Sequence, residues 1–200
     1  NVAANGGHIH QSLIDTQSGA YAFQPAADGA LTAQASGWIA GLLTHAAASC
    51  LLTNPTVNSY KRFSAYQLAP NSVQWGRDNR GAMLRGLMAA GAAASRVENR
   101  VADPTANPHF AFAAQILSGL DGLNTGAVAP PASETPYGDG AEALPGNLAA
   151  ATDAFEASAL YRQVLGDGFV DYLVQIKRAE WARYISTVSE WEQREYFGLF

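Results

Sequence analysis

Residues 96–104, RVENRVADP, alternate apolar and charged side chains with the period of a half-buried strand. Val97, Asn99 and Val101 fall on one face; Arg96, Glu98, Arg100 and Ala102 fall on the other. A carboxylate between two guanidiniums on one strand face is an odd thing to build for stability alone. It suits a site that gathers a metal, an anionic substrate and a transferring phosphate. The same pattern also makes a surface ion-pair ladder. The rest of the chain bears on the choice.

An apolar fraction of 48% with 14% charged residues supports a substantial core over the 200 residues. The net charge of -5 argues against a general nucleic-acid binder. A single cysteine, Cys50, rules out an internal disulfide framework and reads as a small buried hydrophobe. That usage points to a reducing, cytoplasmic setting. No apolar run approaches membrane-spanning length, and no signal peptide opens the sequence. The first residue, Asn1, is not an initiator methionine, so the chain reads as trimmed or as part of a longer protein.

The Gly6-Gly7 pair is a turn, and residues 8–13 then alternate as a strand that puts His8, His10 and Ser12 on one face. A His-x-His pair on a strand can be a ligand or phosphate-contact geometry, or two solvated histidines. Thr32 caps one long helix over about 33–52, which contains His45 and stops at Asn54-Pro55. Residues 54–63 read as an extended loop carrying Lys61 and Arg62. A short strand falls at 72–75, followed by a basic loop with Arg77 and Arg80. Residues 82–87, with Arg85, and 95–102 form a β-hairpin. Asn107-Pro108 starts a helix over about 108–121 whose buried side is Phe112, Ile116, Leu117 and Leu120. Residues 122–146, rich in proline and glycine, form a surface loop. Helices follow from Asn147, near Ala159, and from Asp167, the last of these burying Val170, Leu173, Val174, Trp181 and Tyr184. A final helix opens with a Ser189/Glu192 capping box.

More than half of the chain's 12 lysines and arginines lie between Lys61 and Arg100, in a protein that is acidic overall. That is the footprint of an anion site. Several arginines beside an imidazole and a carboxylate suit phosphoryl transfer, where positioning and charge neutralisation do most of the catalysis. There is no Gly-x-x-x-x-Gly-Lys loop and no GxSxG elbow.

The segments HIHQS at 8–12, NPTVNSYKRF at 54–63, WGRDNR at 75–80 and RVENRVADPTANPHFAFAA at 96–114 closely resemble the glutamine synthetase family. So do LPGNL at 144–148, the helix around LGDGFVDYLVQIKRAEWARY, and SEWEQREYF at 189–197. The motifs run in family order from end to end. The resemblance implies an ATP-dependent ligase that phosphorylates the γ-carboxylate of glutamate and lets an amine displace the phosphate. It implies an α+β fold: an antiparallel sheet carries the site on one face, helices back it, and the C-terminal part is helical.

By motif match, His8 and Glu98 correspond to ligands of one of two divalent cations, Mg2+ or Mn2+. His10, Ser12 and Arg96 correspond to contacts along the nucleotide. Arg80 and Arg85 correspond to catalytic arginines on the ATP phosphates, Arg62 and Arg100 to residues that hold glutamate, and Gly6 to the glutamate-binding turn. That turn is about two residues shorter here, so the match at 5–7 is loose. The resemblance also implies homo-oligomers, stacked hexameric rings with sites between subunits, and no nucleic-acid or membrane partner.

Two departures matter. Glutamine-forming enzymes carry Gly-Tyr-Glu-Ala-Pro after the Lys-Arg, and the position of that Glu is Leu68 here. Leucine cannot hold a small cation. The pattern looks more like the branch that joins glutamate to larger amines, such as polyamines or ethanolamine. A true glutamine synthetase with a variant at Leu68 is the alternative, and a non-catalytic assembly relative is a third reading. Second, the family's Glu-x-Glu metal ligands and small N-terminal domain are absent, so the chain corresponds to the C-terminal part of the catalytic domain. Residues 1–200 alone are expected to show no ligase activity.

Overall fold

The computed structural model describes residues 6–63, 69–138 and 140–199. Leu68 lies outside the described residues. The fold is α+β. Four short strands, β1 (Ile9–Gln11), β2 (Trp75–Arg77), β3 (Leu84–Leu87) and β4 (Arg96–Asn99), form one sheet in the order β1-β4-β3-β2. The hairpin of β3 and β4 is antiparallel, as is β1 on β4, with Glu98 the shared neighbour of His10 on one side and Arg85 on the other.

The sheet is not wholly antiparallel, because β2 runs parallel to β3, with Gly76 beside Arg85. Parallel pairing ordinarily needs a long crossover. Here β2 has 3 residues and β3 has 4, so the short return through residues 78–83 suffices. The strand expected at 72–75 begins instead at Trp75, and β4 ends at Asn99 rather than running to 102.

The helical half departs from the sequence reading in two places. The expected single helix is two, α1 (Ala33–Thr44) and α2 (Ala46–Thr53), bent by 76° at His45. The His45 imidazole Nε2 lies 2.8 Å from the Asp121 carboxylate, which ties the bend to the next helix. That helix, α3 (Pro108–Asn124), buries a different face from the expected one, and of the four expected side chains only Leu117 packs against the core. Phe112 and Ile116 are each 50% exposed and Leu120 is 42% exposed, while Ala111, Ala114, Gln115, Ser118, Gly119 and Gly122 are buried. A Cβ on Gly41 would stand 2.0 Å from the Ser118 carbonyl oxygen, and one on Gly122 would stand 2.1 Å from the Gly37 carbonyl oxygen. Helices α1 and α3 thus meet backbone to backbone, and the large side chains of α3 have no room on that seam.

Capping matches the sequence at Thr32, Asn107, Asn147 and the Ser189/Glu192 box. Residues 59–62 form a 3-10 turn rather than extended loop. Four helices close the chain: α4 (Leu148–Glu156), α5 (Ala159–Leu165), α6 (Asp167–Ile185) and α7 (Glu190–Tyr196). Asp167 begins α6 without capping it; its carboxylate accepts from Arg162 at 2.9 Å. On α6, Val170 and Val174 are buried, whereas Tyr184 is 42% exposed. Leu84 and Val97 of the sheet, with Met83 just before β3, join Trp38, Ile39, Leu42, Leu51, Phe155 and Tyr161 in one core, and Cys50 sits within it. Burial pushes the Cys50 thiol up to about 12, so it has no nucleophilic use at neutral pH. Among the described residues no single helix is long and apolar enough to cross a membrane.

Candidate active site

The alternation of β4 separates two environments. Val97 and Asn99 face the core, where Asn99 Nδ2 donates to Gln115 Oε1 at 2.8 Å and the Trp38 indole donates to Gln11 at 2.9 Å. Glu98 faces the other way and is still only 1% exposed, because other charged side chains cover it. Arg100 Nη1 donates to Glu98 Oε1 at 2.8 Å, and Arg85 Nη1 donates to Oε2 at 3.2 Å. His8 Nδ1 stands 3.0 Å from Oε1, with His10 Nε2 at 3.8 Å. The strand pairing explains the cluster. His10, Glu98 and Arg85 form a row across β1, β4 and β3, with His8 and Arg100 one pleat further along the same face.

Burial works against the charged form of Glu98. The Arg100 charge, the Arg85 hydrogen bond and the two imidazoles outweigh it and hold the carboxyl below its ordinary value of 4.5. Burial, then the Arg100 charge, lower His8 from 6.5 despite Glu98, so His8 is neutral at neutral pH and its contact with Glu98 is a hydrogen bond. Charges this deeply buried are weak devices for stability. The surface-ladder reading of this strand is therefore excluded.

The other candidates divide into those that join the cluster and those beside it. Arg96 Nε donates to His10 Nδ1 at 3.1 Å, fixing that ring with its Nε2 side toward Glu98. Arg62 is buried: it donates to Asn54 at 3.2 Å and to the Val101 carbonyl, with Asp103 3.7 Å away. A Cβ on Gly6 would lie 3.4 Å from Arg62 Nη1 and 3.6 Å from His8 Nε2, so the Gly6 turn sits between these two side chains. Arg80 is exposed, and its carbonyl accepts from Arg100 Nε at 2.9 Å, which ties its loop to the cluster. Ser12 is exposed just past β1, with no side-chain hydrogen bond among the described residues. Arg77 lies apart, over the Trp75 ring and bonded to the Gly29 carbonyl at 2.9 Å.

Sequence reasoning missed Asp78, which accepts from Arg85 Nε at 2.9 Å, and it missed Asn54 and Asp103, which hold Arg62. An aspartate two residues before Arg80 in GRDNR was the visible signal for the first.

His8 and Glu98 offer an imidazole nitrogen and a carboxylate oxygen 3.0 Å apart. That is also the separation of two adjacent ligands on a metal with bonds of about 2.1 Å. The carboxylate oxygen suits Mg2+ or Mn2+ and the imidazole nitrogen suits transition-metal cations, so the pair suits a divalent cation without selecting one. Among the described residues no set of three or more His, Cys, Asp or Glu side chains is placed to hold a metal, so this pair fits as part of a coordination shell.

Residues 1–196 match the family model for the glutamine synthetase catalytic domain, and the chain belongs to the glutamine synthetase family. It is 39% identical over 208 residues to gamma-glutamylanilide synthase of an Acinetobacter species, covering 98% of this chain and 42% of that protein. It is 37% identical over 201 residues to glutamine synthetase of Methanocaldococcus jannaschii, covering 96% of this chain and 44% of that protein. Among solved structures, apo GmaS superposes with a TM-score of 0.83 at 36% identity, covering 96% of this chain and 45% of GmaS. The GmaS–ADP complex gives 0.84 at 34%, covering 97% and 46%. The chain thus spans less than half the length of these relatives.

Proposed function

We propose that this chain carries the C-terminal part of the catalytic site of an ATP-dependent carbon–nitrogen ligase that joins glutamate to an amine. The observation that carries the reading is Glu98, 1% exposed and hydrogen-bonded at once to two arginines and a histidine. A γ-carboxylate oxygen of glutamate attacks the γ-phosphorus of ATP and ADP leaves. The amine nitrogen then attacks the acyl carbon, loses a proton, and phosphate departs. ATP and divalent metals are general to this family. His8 and Glu98 would hold part of the shell of a divalent cation, which would supply neutralisation of phosphate charge when bound.

The chain's own residues do the rest. Arg85 and Arg80 offer N–H donors to the transferring phosphoryl group. Arg62 and Arg100, with the Gly6 turn, hold the glutamate carboxylates. Arg96 fixes His10, and with Ser12 they line the nucleotide. The site is completed by the rest of the full-length protein, supplied in part by neighbouring subunits of a ring.

The amine is the open choice. Leu68 and the 39% identity to gamma-glutamylanilide synthase favour an organic amine over ammonia; the glutamine synthetase of M. jannaschii at 37% keeps ammonia as the second reading. The test is phosphate release by the complete gene product with ATP, Mg2+ and glutamate. Ammonium, ethanolamine, putrescine, spermidine and aniline are offered in turn. Faster release with any organic amine is expected, and Leu68→Glu shifts the preference toward ammonium. Release driven best by ammonium gives the second reading; silence with every amine leaves a non-catalytic assembly role.

A further inference from the structure

The charged row across the sheet does not stop at Arg85. Parallel pairing sets Gly76 beside Arg85, and Asp78 follows in the turn just past the end of β2. The Asp78 carboxylate accepts from Arg85 Nε at 2.9 Å and also from Nη2, while Glu98 accepts from Nη1 at 3.2 Å. Three of the five guanidinium N–H groups are thus committed to two carboxylates on different elements. One N–H remains on each terminal nitrogen. A single carboxylate would let the guanidinium pivot; two, gripping different edges, fix its plane.

Two further features single out Asp78. Its side chain is 71% exposed, so its ion pair contributes little to stability in water. Its backbone nonetheless sits at φ 47°, alone among the described non-glycine residues in having positive φ. Glycine would adopt that conformation without strain. The turn does not need the carboxylate either, because the Asp78 N–H already donates to the Gly86 carbonyl at 2.9 Å. A strained position that keeps a carboxylate of little stabilising value points to a use for the carboxylate itself.

We propose that Asp78 is a positioning residue, which with Glu98 holds the Arg85 guanidinium fixed and leaves its two remaining N–H groups for the transferring phosphoryl group. This rests on the role given to Arg85 above. Loss of Asp78 then lowers kcat while leaving KM for ATP nearly unchanged, since the fixed plane matters most as charge develops.

The experiment measures kcat, KM for ATP and thermal melting of the complete gene product for Asp78→Asn, Asp78→Gly, Asp78→Glu, Arg85→Lys and the Asp78→Asn/Arg85→Lys double variant. Both Asp78→Asn and Asp78→Gly are expected to lose roughly 10- to 100-fold in kcat. Asp78→Gly melts no lower than the parent, because glycine relieves the backbone. Asp78→Glu recovers part of the rate, and the double variant is no slower than Arg85→Lys alone. A parental kcat in Asp78→Gly beside a slow Arg85→Lys overturns the inference and leaves the reaction intact. A parental kcat in Arg85→Lys overturns the role of Arg85 and the inference with it. Independently of turnover, the Arg85 Nε–H resonance is expected to exchange slowly in the parent and rapidly in Asp78→Asn; unchanged exchange also overturns the proposal.

Discussion

The seam between α1 and α3 and the charged face of the sheet are both buried, and they are built in opposite ways. At the seam, Gly41 and Gly122 let two backbones touch, and Trp38 lies against Gly119. On the sheet, Glu98, Arg85 and Arg100 fill a comparable interior with charge, each neutralised by its neighbours. The seam gains dispersion contacts, and its few polar side chains are satisfied by neutral hydrogen bonds such as Ser118 with Tyr161. The charged face bears a desolvation cost that apolar side chains would avoid. The comparison teaches where to look for function: in the region whose construction is poor for stability and well suited to binding anions.

The largest expected effect falls on the seam. Gly41→Ala places a Cβ 2.0 Å from a backbone oxygen, so the helices must part. A loss of about 3 kcal/mol or more is expected in chemical denaturation, with any surviving folded protein keeping its nucleotide affinity.

Glu98→Gln should do the reverse. It keeps the shape but removes the charge that binds Arg100 and Arg85, costing about 1–3 kcal/mol in denaturation. On the function proposed above, phosphate release by the complete gene product should fall roughly 100-fold or more. If Glu98→Gln unfolds the protein more than Gly41→Ala does, the division of labour drawn here is wrong.

Acid sharpens the contrast further. His8 has a lowered native pKa, so below 6.5 the unfolded chain takes up a proton that the native state resists, and stability declines. Glu98 also has a lowered native pKa, so its contribution is present above 4.5 and drains away as pH falls through its native value. Denaturation midpoints followed from pH 7 to pH 3 should fall in both windows. The lower window should shrink in Glu98→Gln and persist in a seam variant that still folds.

The smallest effect belongs to His45→Ala. It removes the 2.8 Å tie to Asp121 at the bend between α1 and α2, for about 1 kcal/mol and no change in kcat. A loss of turnover there would mean that the seam communicates with the site.

Much of the site was legible because strand periodicity is a local property. Alternation alone put Glu98 with Arg100, and His8 with His10, on single faces, and the hairpin of β3 and β4 brought Arg85 opposite Glu98. What escaped were partners supplied by the return of the chain. Asp78 sits in a turn without periodicity, and the parallel register of β2 that delivers it cannot be read from 72–80. Asn54 and Asp103 reach Arg62 from either end of unrelated elements. In α3, size and hydrophobicity pointed to Phe112, Ile116, Leu117 and Leu120 as the core face, but the close approach of two backbones left only Leu117 of these against the core.

By itself, then, the sequence determined the caps at Thr32, Asn107, Asn147 and Ser189, the strand faces and the chemical character of the charged row. These depend on residues within a turn or a pleat of one another. The tertiary structure decided which face of α3 is buried, how α1 and α2 bend, that β2 runs parallel, and which carboxylate grips the far edge of Arg85. Those outcomes depend on how closely distant backbones approach, and no local pattern of polarity encodes that distance.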